Sequence, residues 1–472
     1  MRHFGVSGVR GMKRGVARAG RMIRIANGQG FWGDWLEAPR RLVQGGPLDY
    51  LVLDYLSEVT MAILEKQRRR DPCKGYATDA VGLIVELLPS LMRGGVRVVT
   101  NAGGVNPRQC ARSILERARS AGVRGLKVAV VLGDDLGGRL DAIAARGTDF
   151  ESPGQGVGLA GIRDRVLSAN AYIGAFPLAE GLDTGAHVVL AGRSTDTALT
   201  LAPMIHEFGW RDHDWDRLAA GTVAGHIIEC GAQCTGGNCS LDWQSIPDLA
   251  DIGFPVVEAR QSGDFVLTKQ PGTGGRVTVP DVKEQLLYEL GDPTRYLTPD
   301  CRADFTSLLL RQDGQDRVAV EGVRGGPPPP TLKVSVCYTA GYQAVGTLVY
   351  SWPDALAKAR AAEAMVRRRL AALGLKFDEI HAEVLGVDAC HGPAAPENPD
   401  PPEVQLRMGV RAISRRPVER FTREMIPLVL NGPPTATGFG EGRPRVREVV
   451  AHHALLVPRE DVPTSVELFD AE

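Results

Sequence analysis

From Met22 onward the chain repeats one pattern: a short apolar run, a polar or glycine-rich turn, then apolar residues three and four apart. Short apolar runs bounded by turn residues read as buried strands, and the wider spacing reads as amphipathic helix. Met22-Ile23-Arg24-Ile25-Ala26 predicts a first strand, followed by Asn27-Gly28-Gln29-Gly30 and a helix over 35–43. Further strands are predicted over 51–53, 96–99, 127–132, 172–175 and 187–190. Asn106 before Pro107 predicts a capped helix start, because the missing proline N–H costs nothing there. Ala219, Val223, Ile227 and Ile228 predict a helix that stops at Gly231. Strand, loop and helix in repetition predict an α/β fold, with a parallel three-layer domain over 22–245.

After residue 245 the rhythm changes. Strands are predicted within 254–267 and over 276–279, a helix over 282–290 and a hairpin over 308–325. Four prolines, Pro327 to Pro330, stiffen a connection. Strands over 332–338, 380–387, 405–412 and 446–457, with helices over 355–373 and 417–430, predict an α+β domain over 246–472. Residues 1–21 carry basic groups, no acid and little apolar pattern, so they are expected to form a disordered arm.

Composition narrows the function classes. With 472 residues, 43% hydrophobic, the chain is long enough for two or three cores. A formal charge of -1 excludes the strong basic surplus of a nucleic-acid binder. Apolar runs stay short of the roughly 18 residues needed to cross a bilayer, and eight scattered cysteines suit a reducing compartment, so a cytoplasmic location is expected. Neither GxGxxG after the first strand nor a Walker A sequence occurs, so neither NAD nor ATP is indicated and no cofactor is assigned.

Candidate chemistry falls at the carboxyl ends of the predicted strands, where open α/β sheets bind ligands. Asn101, Gly103, Gly104 and Asn106 follow one strand, Asp134 and Asp135 another, and Arg193, Ser194, Thr195 and Asp196 a third. These Asn, Ser and Thr residues equally suit helix capping. A second concentration lies within Gly221 to Leu241, which holds His226, Glu229, Cys230, Cys234, Gly236, Gly237, Asn238 and Cys239. The His-x3-Cys-x3-Cys-x4-Cys spacing does not match the paired ligands of structural zinc. Cys230 is read as the functional thiol, with Cys234 and Cys239 packing as small apolar groups. Asp388, Cys390 and His391 form a third group. A divalent metal near Asp388 and His391, or near His226 and Cys230, stays open, and no metal ligand is assigned.

Several runs together resemble the acyclic terpene utilisation family of AtuA-like proteins. They are Thr100-Asn101-Ala102-Gly103-Gly104-Val105-Asn106-Pro107, Gly192-Arg193-Ser194-Thr195-Asp196, the segment from Gly225 to Asn238, Gly291-Asp292-Pro293 with Tyr296, Thr339-Ala340-Gly341-Tyr342, and Gly438-Phe439-Gly440. The resemblance implies bacterial breakdown of branched terpenoid acids handled as CoA thioesters, and a small companion subunit of ferredoxin-like fold. A homo-oligomer is expected. The first reading is therefore a carbon–carbon lyase or hydratase acting on a branched 3-hydroxy acyl-CoA. Such chemistry needs a base, an acid and a polarising group. Asp134 or Asp196 suits the base, Cys230 the acid, and Arg193 a carboxylate, with Glu229 beside them. Asn101, Gly103, Gly104, Asn106, Ser194, Thr195, Gly236, Gly237 and Asn238 are the expected substrate-binding positions. The alternative is a non-catalytic acyl-CoA-binding or assembly subunit of the same pathway.

Overall fold

The computed structural model describes residues 4–5, 21–146, 159–396, 400–438, 440 and 442–470. The expected arm over 1–21 therefore lies outside the described residues, apart from Arg21 and a two-residue strand. Contacts divide the chain into two compact units: Met1–Cys337 with His452–Glu472, and Tyr338–Ala451.

In chain order the strands are β1 (Phe4–Gly5), β2 (Met22–Gln29), β3 (Tyr50–Leu53), β4 (Arg97–Thr100), β5 (Lys127–Leu132), β6 (Val166–Ala171) and β7 (Val188–Ala191). Then come β8 (Pro255–Arg260), β9 (Phe265–Lys269), β10 (Tyr296–Leu297), β11 (Arg302–Asp304), β12 (Leu309–Gln312), β13 (Val318–Glu321) and β14 (Arg324–Gly326). The last are β15 (Thr331–Ser351), β16 (Glu379–Leu385), β17 (Glu403–Ala412), β18 (Arg447–Pro458) and β19 (Ser465–Asp470).

The first unit is built on an eleven-stranded mixed sheet in the order β1-β19-β5-β7-β4-β3-β2-β8-β9-β13-β12. Its centre, β5-β7-β4-β3-β2, is parallel. Those strands are buried on both faces, as in Tyr50–Leu53 and Val188–Ala191, which explains their unbroken apolar runs. Helices Glu37–Gln44, Thr78–Gly94 and Pro107–Ser120 share one core. Helices Ala175–Asp183, Leu199-bearing Ala198–Phe208 and Trp215–Ile228 pack together as a second group.

Several expectations are corrected. The sheet does not end with its parallel part, because β8 pairs antiparallel with β2 and carries β9, β13 and β12 beyond it. The expected boundary at 245 falls inside this sheet. Residues 172–175 are not a strand of it: β6 ends at Ala171, pairs with β15, and the chain turns directly into helix Ala175–Asp183. Arg276, expected in a strand, lies in the approach to helix Val279–Leu287, which Thr278 and Asp281 start with a reciprocal capping box. Asn106 stands at the start of helix Pro107–Ser120 without a side-chain cap.

In the second unit β16, β17 and the later part of β15 form an antiparallel ladder. β17 alternates buried and exposed positions, the pattern of a sheet covered on one face. Helices Ala355–Ala372 and Arg415–Phe421 supply that cover around Leu406, Met408 and Val410. The helix expected over 417–430 is two pieces, Arg415–Phe421 and Leu428–Asn431. Among the described residues no helix is long and apolar enough to cross a membrane.

Candidate functional site

Parallel pairing places the carboxyl ends of β2, β3, β4, β5 and β7 on one edge of the sheet. The loop after β4 enters helix Pro107–Ser120 of the first helical group, whereas the loop after neighbouring β7 enters helix Ala198–Phe208 of the second. Adjacent loops that diverge in this way open a crevice. Arg193, after β7, is only 2% exposed. Its Nη1 donates to Leu56 O at 2.8 Å and to Asp196 Oδ1 at 2.7 Å, and its guanidinium lies 4.3 Å from the centre of the Tyr172 ring. Arg193 Nε has no partner within the described residues, and neither do the buried hydroxyls of Ser194, Thr195 and Thr197.

Carboxylates gather round this cation. Asp54, after β3, accepts from Asn101 Nδ2 at 2.7 Å and from Leu56 N at 3.2 Å, while Asn101 Oδ1 accepts from Tyr55 N at 2.8 Å. Burial and the charge of Asp196 hold the Asp54 carboxyl well above its ordinary range. Asp134, after β5, is buried and accepts on Oδ2 from Arg193 N at 2.8 Å and Asn170 Nδ2 at 3.0 Å. A side chain at Gly192 would lie 2.5 Å from that oxygen, so glycine is required for the approach. Burial outweighs the two donors and lifts Asp134 to about 7. Glu58 behaves oppositely. Burial pushes it up, but the hydrogen bond from Tyr172 and the nearby Arg193 and Lys333 charges hold it down at about 2.

The Gly221 to Leu241 stretch divides at its middle. Helix Trp215–Ile228 packs closely on the loop after β7, where a side chain at Gly225 would lie 2.7 Å from Thr197 O. Asn27, near the end of β2, donates to Glu229 O at 3.0 Å, and a side chain at Gly30 would meet the Cys230 backbone at 2.8 Å. Glu229 and Cys230 thus lie at the same strand-end edge. Glu229 sits at the helix carboxyl end, whose dipole disfavours negative charge. Burial raises it to about 7 against the pull of His226, whose Nδ1 is 3.5 Å away, and Asp196 adds to the rise. His226 is buried against the edges of Tyr296 and Phe305. Burial and the Glu229 charge push the Cys230 thiol up to about 12. Reactive thiols favour helix amino ends; Cys230 occupies the opposite end.

Beyond Cys230 the stretch turns to other duties. Gly231 takes the expected left-handed conformation, with φ 58°, and a short turn over Gly231–Thr235 follows. A side chain at Gly236 would press on Ile246, Gly237 N donates to Ala232 O at 2.9 Å, and Asn238 is exposed in a left-handed turn. Cys239 Sγ donates to Glu284 Oε2 at 3.2 Å. Gly103 and Gly104 pack against Ala191 O and Gly75 O, and Asn106 Nδ2 donates to Pro72 O at 2.9 Å and Lys74 O at 2.8 Å. The geometry therefore brings together Asn101, Asp134, Arg193, Ser194, Thr195, Asp196, Glu229 and Cys230. The described contacts of Gly103, Gly104, Asn106, Gly236, Gly237 and Asn238 are instead with their own supporting loops. Asp54, Glu58, Asn170, Tyr172 and Tyr296 join the site without having been selected from the sequence. Asp54 was findable by the same strand-end rule.

In the second unit Asp388 Oδ2 pairs with Arg360, while Cys390 and His391 are exposed. Among the described residues no group of three or more His, Cys, Asp and Glu side chains is placed to hold a metal ion.

The mixed sheet, with helices packed on it and buried acids and a buried cation at its parallel strand ends, defines a protein of the mixed α/β class. More particularly, the chain belongs to the acyclic terpene utilisation family: residues 23–468 match the acyclic terpene utilisation family protein AtuA. The chain matches no curated protein and no solved structure.

Proposed function

We propose that the strand-end crevice of the first unit is an acid–base site for a branched acyl-CoA in acyclic terpenoid breakdown, working as a carbon–carbon lyase or hydratase on a 3-hydroxy acyl group. The observation that supports this reading is the pair of carboxyls, Asp54 and Asp196, about one buried guanidinium, with Glu229, which feels the charge of Asp196, lifted to about 7. A carboxyl that titrates near neutral both takes and returns a proton efficiently. Glu229 is the proposed proton carrier. Asp196, which is partly exposed beside Arg193, is the second base candidate. Arg193 and the hydroxyls of Ser194 and Thr195 hold the acyl oxygen or a carboxylate, and Asn101 fixes Asp54. Cys230 lines the site as a neutral thiol.

Incubation with geranic- and citronellic-type acyl-CoA thioesters in deuterated water tests this reading. Deuterium entry beside the thioester, or a hydrated or cleaved product, is expected from the wild type. It should be lost in Glu229→Gln while binding is kept. One observation favours the non-catalytic alternative: Asp54 and Asp134 are both satisfied by amide donors and serve the fold as they stand. Saturable binding with neither exchange nor product would select that alternative.

A further inference from the structure

The second unit contains a cavity of about 850 Å³ with no part in the site above. That volume lies within the usual range of small-molecule sites. Its polar lining includes Gln343 and Thr347 of β15, Gln405 of β17, and Arg443, Arg445 and Arg447. The three arginines alternate along the chain with Pro444 and Val446. Pro444 packs so closely on β15 that a side chain at Gly346 would lie 2.9 Å from its ring, and Val446 packs on the unit's apolar core.

Charge is the telling feature. Elsewhere in the unit, Arg360, Arg367, Arg407, Arg415 and Arg420 pair with carboxylates. Arg443, Arg445 and Arg447 are exposed and have no ion pair within the described residues, as is also true of Arg368, Arg416 and Arg423, but the first three line one cavity together. The sequence Gly438-Phe439-Gly440-Glu441-Gly442 leads into them and contributes one acid against three cations. Arginine forks match phosphate oxygens through paired N–H donors.

We propose that this cavity binds a phosphate-bearing ligand, an inorganic or organic diphosphate, through Arg443, Arg445 and Arg447. The proposal stands apart from the reading of the strand-end site, because every residue it uses lies in the second unit.

Calorimetric titration of the full chain with inorganic pyrophosphate and with ADP tests it. Saturable binding tighter than about 1 mM is expected. The triple Arg→Gln variant of residues 443, 445 and 447 should weaken it at least about tenfold, the scale of one lost charged hydrogen bond. A matched variant, Arg368→Gln with Arg416→Gln and Arg423→Gln, removes the same charge outside the cavity and should leave affinity unchanged. Equal binding of both probes shows that the site reads the diphosphate, and tighter ADP binding shows that it reads the nucleoside as well. Absence of saturable binding, equal losses in the two triple variants, or displacement of both probes by a glutamate-rich peptide would overturn the proposal. If the first triple variant loses its melting transition, the single Arg→Gln variants carry the same comparison.

Discussion

Replacing Asp134 by Asn exchanges a buried carboxyl for a neutral group of the same shape. Both donors, Asn170 Nδ2 and Arg193 N, meet the same oxygen, so the amide oxygen of Asn can keep both bonds. The new NH2 then faces Gly192, where no acceptor is described, at a cost of about 1–2 kcal/mol. Against this stands the ionisation of the wild-type group, whose pKa rises from 3.8 to about 7 on folding. The folded value is the higher one, so the protonated carboxyl favours the folded state. That stability is complete below the unfolded pKa and is lost as pH climbs through the folded pKa. Between about pH 5 and pH 8 the loss comes to about 3 kcal/mol. The loss counts from the unfolded value of 3.8, so Asp134→Asn should be less stable than wild type at about pH 4, equal near about pH 4.5–5.5, and more stable by about 2–3 kcal/mol at about pH 8. Urea denaturation across that range measures it, with an unchanged m-value showing that the same surface unfolds. Asp54, Asp300 and Glu229 also have raised values, but they are present in both proteins and cancel in the difference. Parallel stability curves for the two proteins would refute the argument.

Three shorter predictions bear on the same region. Gly225→Ala brings a methyl group to 2.7 Å from Thr197 Cα and O, and should cost about 1–3 kcal/mol, read as a lowered melting temperature. Arg193→Met removes the buried end of an ion pair, leaves buried Asp54 without its nearby cation and forfeits two hydrogen bonds and the Tyr172 stack; a loss of about 3–5 kcal/mol is expected, and one below about 1 kcal/mol would show that solvent already serves Asp196. In peptide mass mapping after alkylation at neutral pH, exposed Cys73 and Cys390 should react well ahead of Cys230, whose thiol is held up to about 12.

The parallel centre of the sheet was legible because burial on both faces forces unbroken apolar runs such as Val128 to Val131, and few other contexts allow them. The antiparallel flank was less so. Val256, Val257 and Ala259 advertise a strand, but nothing local in β8 names β2 as its partner. Strand-end polarity pointed to Asp134 and Arg193, which are buried after β5 and β7 with hydrogen-bond partners. Glycines misled. Gly103, Gly104, Gly236 and Gly237 are open to a close approach, but the approaching atoms belong to the protein's own backbone or core. Tyr172 reaches the site from a connecting segment and Tyr296 from the two-residue strand β10, both too short for periodicity to announce direction.

β19 has a consequence for synthesis. It seals the side of β5 away from β7, although about 330 residues separate Leu132 from Ser465. At roughly 5–20 residues per second, β5 emerges from a ribosome with that flank open for something like 15–70 s. During that interval an apolar strand edge is available to neighbouring nascent chains. Final assembly of the sheet must wait for β19, so yield in a heterologous host should depend on chaperone capacity more than on the stability of the folded protein.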